Sequence, residues 1–333
     1  MWYEAEQAAN ELEYELAHFA HGAGAMEMEY EGAEHFFGKD DRFHFKAQAR
    51  RPSSLLYPTN TICLLEVLNT AGSVIGRGTG TLIAPQVVLT ARHNLMNIAA
   101  INRPCALSPT AIRGPRFARI RVTPGADFSA ANPRHRRAAT PGSQIATSTH
   151  FRTHDFLDYG IIILPRPFSL PRRAGGRTPF MMLQARGNVN TATLLTLAGY
   201  PCDKPLGTMW GHSDRIQLTN VTPTNLFYRI DTCPGHSGSP VWLLGSEPED
   251  TRILLGVHTG GPHRCANHPS GQCRHTGAPV TGIQPGNPLY NVLNCGVRIT
   301  CDVINQIVAW CRAARVTGPI IDRVQYNRVC VRR

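Results

Sequence analysis

Downstream of Thr59 the apolar residues come in short runs separated by Gly, Pro, Asn and Asp, the pattern of strands joined by turns. The runs predict strands at residues 61–68, 74–83, 86–90, 118–122, 160–164, 193–198, 215–221, 226–230, 240–244 and 253–258. Gly76, Gly78 and Gly80 within the second run suit a bent strand of a small barrel. Residues 97–150 are rich in Arg, Pro, Ala and Thr, and read as a long exposed insertion around the strand at 118–122. A helical period appears in this body only near its end. Val303, Ile304, Ile307, Val308 and Cys311 share one face there, and Thr300 or Asp302 can cap the start. Many strands followed by one helix predict a two-barrel β protein. No repeat of fixed period is present. The longest apolar runs are too short to span a bilayer, so no membrane span is expected.

Charge divides the chain of 333 residues in two. Residues 1–41 hold eleven acids and one base, a balance of −10, whereas residues 42–333 hold 33 bases and 12 acids, a balance of +21. The boundary drawn separates an acidic N-terminal segment, 1–50, from a basic body, 51–333. The segment carries a possible helix over 4–19, with Leu12, Leu16 and Phe19 near one face. A solvated tail, a propeptide that masks the basic body and an export address are all compatible with it. It has no basic n-region and no uninterrupted apolar h-region, so it is not a standard signal peptide. Residues 38–54, with Arg50-Arg51-Pro52, read as a linker open to nicking. The body is basic almost wholly through Arg, which favours carboxylate and phosphate partners. Those Arg residues are scattered without interleaved aromatics, which disfavours nucleic acid as a partner.

Three segments carry candidate chemistry. Ser237 lies in Thr232-Cys-Pro-Gly-His-Ser-Gly-Ser-Pro240, where small residues permit a tight turn and the N–H groups of Gly235 and Ser237 can converge as an oxyanion hole. A Ser hydroxyl needs a base to become a nucleophile. His93 ends the apolar run Val87-Val-Leu-Thr-Ala-Arg-His93 and supplies one. The imidazole in turn needs a carboxylate to orient it. Asp158 directly precedes the apolar Tyr159-Gly-Ile-Ile-Ile-Leu164 and is preferred to Asp155, three residues upstream. The order His, Asp, Ser is that of the chymotrypsin type.

These segments resemble the glutamyl endopeptidase (V8-like) group of chymotrypsin-fold serine proteases. The likeness rests on Gly78-Thr-Gly-Thr-Leu-Ile83, Leu89-Thr-Ala-Arg-His93, Asp158-Tyr-Gly-Ile-Ile-Ile163, the 198–210 segment, Gly235-His-Ser-Gly-Ser-Pro-Val-Trp242, Gly256-Val-His-Thr-Gly-Gly261 and Asn294-Cys-Gly-Val-Arg-Ile-Thr300. It spans about residues 55–315 in family order. Arg92 departs from the small residue usual before the His, and the stretch between His93 and Asp158 is long for the family. The resemblance implies an all-β fold of two six-stranded antiparallel β-barrels with a C-terminal α-helix. It implies a secreted serine endopeptidase with the triad His93, Asp158 and Ser237, acting on protein or peptide substrates without a cofactor. Thr232 and His258 stand where the family lines its pocket for an acidic side chain, so cleavage after Glu, or Asp, is expected. The same fold with another specificity is one alternative. A non-catalytic basic module that grips anionic polymers is another, and the presence of all three triad residues counts against it.

Ten Cys suit an oxidising destination. His263, Cys265, His268, Cys273 and His275 form a cluster whose spacing fits no standard zinc pattern, so a disulfide-braced loop is preferred and no metal is assigned. By likeness to related folds, Cys233 is expected to pair with Cys265 or Cys273. Pairings of the other cysteines and the oligomeric state stay open.

Overall fold

The computed structural model describes residues 40–45, 57–95, 119–127, 145–170, 179–186, 194–215, 221–243, 252–260 and 293–331. The chain enters at a two-residue strand, β1 (Phe43–His44). A first sheet follows from β2 (Ile62–Leu68), β3 (Val74–Ala84), β4 (Val87–Thr90), β5 (Arg119–Pro124), β6 (Ala146–Ser148), β7 (His150–Thr153) and β8 (Gly160–Ile163). Its order is β6-β5-β2-β3-β4-β8-β7, antiparallel throughout. The second sheet takes β9 (Met182–Leu183), β10 (Leu194–Gly199), β11 (Trp210–Arg215), β12 (Asn225–Tyr228), β13 (Pro240–Leu243), β14 (Ile253–Gly260) and β15 (Asn294–Arg298). It runs β1-β11-β10-β13-β14-β15-β12, with β9 parallel to β14.

Each sheet buries its own apolar set. Leu65, Leu82, Val88, Val122 and Ile162 pack within the first, and Leu195, Leu197, Leu226, Val241 and Leu255 within the second. A third cluster joins the two, running from Ile62, Leu64 and Ile83 through Tyr200, Trp242 and Leu254 to the C-terminal helix. Burying each such side chain is worth about 1.5–3 kcal/mol, so the contact between the sheets is a core in its own right. The helix, α1 (Cys301–Ala313), buries Val303, Ile304, Ile307 and Cys311, and Thr300 Oγ1 caps it by accepting from the Val303 N–H at 3.3 Å. A short second helix, α2 (Arg323–Tyr326), follows. The Cys301–Cys330 disulfide closes a loop of 29 residues between the start of α1 and the last turn. In chain-entropy terms that closure is worth about 3–4 kcal/mol.

The architecture is all-β with a C-terminal helix, but among the described residues the sheets have seven and eight strands rather than six each. Short strands make the difference. β1 and β9 have two residues apiece, too few for a period to register. β6 and the start of β7 fall inside the stretch expected to be an insertion. β11 occupies Trp210–Arg215, a polar segment held between β10 and β1, and most of the strand expected at 215–221 lies outside the described residues. The expected helix over 4–19 lies outside the described residues.

Candidate active site

The pairing of β4 with β8 builds the first half of the site. Thr90 is opposite Gly160 in antiparallel register, so the end of β4 lies beside the start of β8. His93 lies three residues past one end and Asp158 two residues before the other, and they meet. Asp158 Oδ2 is 2.7 Å from His93 Nδ1, and Asp158 Oδ1 accepts the His93 backbone N–H at 3.0 Å. Two bonds from one buried carboxylate fix both the backbone and the ring. The His93 ring is about one-third exposed. Burial would lower the His93 pKa, but the Asp158 charge and hydrogen bond outweigh it and raise the pKa above the ordinary value. With Nδ1–H donated to Asp158, the neutral ring carries its lone pair on Nε2. Asp155 takes no part in this contact; its backbone carbonyl accepts from Arg92. His154 closes the β7–β8 turn, its Nδ1 accepting the Phe156 and Leu157 N–H groups.

The second half is the loop between β12 and β13. Gly235 (φ +103°) and Gly238 (φ +89°) both adopt the left-handed region. A Cβ at Gly238 would also lie 2.1 Å from Thr79 O, so only Gly fits there. The His236, Gly238 and Ser239 N–H groups donate to Cys233 O, His258 O and His236 O. Those of Gly235 and Ser237 have no partner among the described residues. β3 and the His93 turn hold this loop. Ser237 O accepts from the Thr79 N–H at 2.9 Å and from Asn94 Nδ2 at 2.7 Å, and Thr79 Oγ1 donates to Gly235 O at 2.8 Å. Ser237 is thus tied to the residue after His93, although its hydroxyl makes no hydrogen bond to the His93 ring in this structure. Such pairs are often loose without substrate.

His258 and Thr232 flank the same loop. The His258 N–H donates to Ser239 O at 2.9 Å, and its carbonyl receives the Gly238 N–H at 2.7 Å. The His258 ring is buried with Nδ1 2.8 Å from Tyr228 Oη. Tyr228 is buried too, and its hydroxyl has no other partner among the described residues, so the O–H donates to Nδ1 and the ring proton sits on Nε2. Thr232 is 1% exposed, yet its hydroxyl has no hydrogen bond among the described residues.

No family model matches the chain. It is 26% identical to the glutamyl endopeptidase of Bacillus licheniformis over 283 residues, 84% of this chain and 69% of that protein. A stretch of 67 residues, 20% of this chain and 18% of the relative, is 37% identical to the glutamyl endopeptidase of Staphylococcus aureus. A solved structure of a Glu endopeptidase in complex with MPD matches with a TM-score of 0.53 at 20% identity. That match covers 83% of this chain and 98% of the other, and it carries the fold. The chain is similar to the glutamyl endopeptidases.

The residues singled out in the sequence fall into two groups. His93, Asp158, Gly235 and Ser237 gather where the first sheet meets the β12–β13 loop, and Thr232 and His258 belong to the second sheet and that loop. Asn94, Thr79 and Tyr228 were not singled out, though all three fix site residues. Thr79 stands inside one quoted motif and Asn94 directly after another, whereas Tyr228 looks like any strand residue. Cys233, expected to bridge to Cys265 or Cys273, carries a free thiol that hydrogen-bonds Asp203. The bridge present among the described residues, Cys301–Cys330, joins two cysteines the spacing alone did not pair. The His263–His275 cluster lies outside the described residues, and no group of three or more metal-ligating side chains occurs among the described ones. No described helix is long and apolar enough to cross a membrane.

Proposed function

We propose that the chain hydrolyses peptide bonds as a serine endopeptidase through His93, Asp158 and Ser237, cutting after Glu or Asp. One observation carries the reading: a buried carboxylate fixes the His93 tautomer, and the residue after His93 is bonded to the backbone of Ser237. His93 Nε2 takes the Ser237 proton as Oγ attacks the substrate carbonyl. The cation that forms is stabilised by Asp158. The Gly235 and Ser237 N–H groups receive the oxyanion, a contribution of about 3–4 kcal/mol per donor in comparable sites. His93 then gives its proton to the leaving amine, and a water repeats the sequence to release the acyl group.

Support for the acidic preference comes from the pocket chemistry. The Thr232 hydroxyl is buried without a partner, and His258 carries its neutral-form proton on Nε2. A substrate carboxylate would accept from both. A substrate that leaves the buried Thr232 hydroxyl unpaired is at a disadvantage against one that accepts from it. The disulfide supports function in an oxidising, extracellular setting. The test is a cleavage-site profile on a mixed peptide library, with Ser237→Ala as control. Cleavage after Glu that disappears in the control is expected. Arg, Leu or Phe at the cleaved position would overturn the acidic preference and leave the endopeptidase, and equal cleavage by the control would overturn the mechanism.

A further inference from the structure

We propose that residues 40–45 form a retained strap of the working enzyme, in which Arg42 is a positioning residue for the loop that bears Gly235 and Ser237. The inference rests on the endopeptidase reading above. In sequence this stretch belongs to the linker behind the acidic segment. In the structure it is built into the body. Phe43 and His44 pair with Gly211 and Trp210, and the Phe45 N–H donates to Met209 O at 2.9 Å. The Phe45 side chain is buried in the cluster shared by the two sheets.

Arg42 is the centre of the attachment. Its side chain has no exposed surface. A buried guanidinium survives only if its charge and donors are matched. Nε and Nη2 donate to the two Asp40 oxygens at 2.8 Å each, and Nη1 donates to Asp203 Oδ1 at 3.1 Å, with Nη2 on Asp203 Oδ2. Lys204 Nζ completes the cluster on Asp40 at 2.7 Å. Two cations then meet two carboxylates. Burial would raise the Asp40 and Asp203 pKa values, but the bonds and charge of Arg42, with those of Lys204, hold both below the usual carboxylate range. Without residues 40–45, Asp203 would lose its main partner.

The consequence passes to the loop by three routes. The Cys233 thiol hydrogen-bonds Asp203, and the Cys202 N–H donates to Pro234 O at 2.7 Å. The Asp41 carboxylate sits 3.1 Å from His212 Nε2, and the Asp41 N–H makes a longer contact of 3.4 Å with Asp231, the neighbour of Thr232. Trp210, the β11 partner of His44, accepts from His236 Nε2 at 3.1 Å, while His236 Nδ1 accepts the Cys233 N–H at 3.0 Å. His236 lies between the two oxyanion donors, so its ring sets their direction. It must stay neutral to keep both bonds. Burial first, and the Arg42 charge second, push its pKa down to about 3. Any cut that leaves an active enzyme therefore falls upstream of Asp40, in the acidic stretch, rather than in residues 46–54.

The experiment uses the full chain and its Arg42→Met, Arg42→Lys and Asp203→Asn variants. Functional sites are counted by labelling with a serine-reactive fluorophosphonate, and kcat and KM are measured per labelled site. Arg42→Met and Asp203→Asn should each lower kcat tenfold or more with KM within about twofold. The double variant should be no worse than either single, because one network is lost. Arg42→Lys, which keeps the charge without the fork, should lose less, and it carries the test if Arg42→Met does not fold. The labelled wild-type chain should begin at or before Asp40 on N-terminal sequencing. Unchanged kcat in the variants, or a fully active labelled chain that starts beyond Phe45, overturns the strap. A wild-type chain that neither cleaves nor labels overturns the endopeptidase reading, and the strap's catalytic role goes with it.

Discussion

The rim of the first sheet and the β12–β13 side of the second both withdraw histidines partly or wholly from water, and the two regions tune His93 and His236 in opposite directions. His93 faces a carboxylate. Burial pulls its pKa down, Asp158 pulls it up, and Asp158 wins. His236 spends both nitrogens on peptide groups, receives no carboxylate, and falls to about 3. His258 has a neutral phenol on Nδ1. For His93 and His236 burial pulls the same way, and the partner decides the outcome. A base that must gain and lose a proton needs an ionic partner. A ring that only holds or reads a shape is better served by neutral ones.

The largest effect expected from breaking this contrast is on the ionic side. Ser237→Ala, His93→Ala and Asp158→Asn should each reduce kcat on the order of 10³-fold or more, since the three act as a unit. Asp155→Asn should stay within about twofold; a dead Asp155→Asn beside an active Asp158→Asn would reverse the assignment. The rate needs neutral His93, so kcat/KM should rise with pH through the raised His93 pKa, above the ordinary 6.5. Stability runs the other way. Because the folded pKa is the higher, the pair's contribution is fully present below the unfolded value and fades as pH rises through the folded one. Urea midpoints of wild type and His93→Ala should differ most at acidic pH and converge at alkaline pH.

On the pocket side the expected loss is smaller. His258→Val should lower kcat/KM for Glu substrates by about 2–4 kcal/mol, the scale of a charge-assisted bond plus an unpaired group. Turnover of a small ester without an acidic side chain should fall far less, because His93, Asp158 and Ser237 are unchanged. Equal losses on both substrates would mean that His258 braces the Gly238–Ser239 backbone and reads nothing.

The ionic region was largely legible in sequence and the neutral one was not. Apolar runs at 86–90 and 160–164, each next to a polar residue, are strong local signals. Once β4 pairs with β8, His93 and Asp158 have to meet. The helix announced itself through Val303, Ile304, Ile307 and Cys311. Tyr228 gave no such signal, because a Tyr in a buried strand is ordinary until its hydroxyl finds His258 thirty residues away. Arg42 sat in a polar stretch that resembles a linker, and its partner Asp203 is 161 positions distant. His150–Thr153 alternates exposed and half-buried residues, but over only four positions with a single strongly apolar side chain, Phe151, so β7 was too short for a period to register. Contacts made by one polar side chain across a long separation leave no periodic trace, and those contacts orient the pocket.

The smallest effect, and the sharpest test of the contrast, is Tyr228→Phe. The change removes one hydroxyl from a buried site and leaves the ring that packs beside His258. A neutral hydrogen bond is worth about 0.5–1.5 kcal/mol, so kcat/KM for Glu substrates should drop by roughly two- to tenfold, well short of Asp158→Asn. What should change is the proton's place. With Tyr228 donating to Nδ1, the His258 proton is fixed on Nε2, and ¹⁵N shifts of the ring should report that single tautomer in the wild type. In Tyr228→Phe the Nδ1 lone pair has lost its donor, both tautomers become accessible, and the shifts should move toward their average. Selectivity for Glu over Gln should fall with them, while the pH dependence set by His93 stays where it was. A wild-type spectrum showing the proton on Nδ1 would mean that Tyr228 accepts rather than donates. The pocket would then present a lone pair to the substrate, which repels a carboxylate, and the preference for an acidic side chain would have to come from elsewhere.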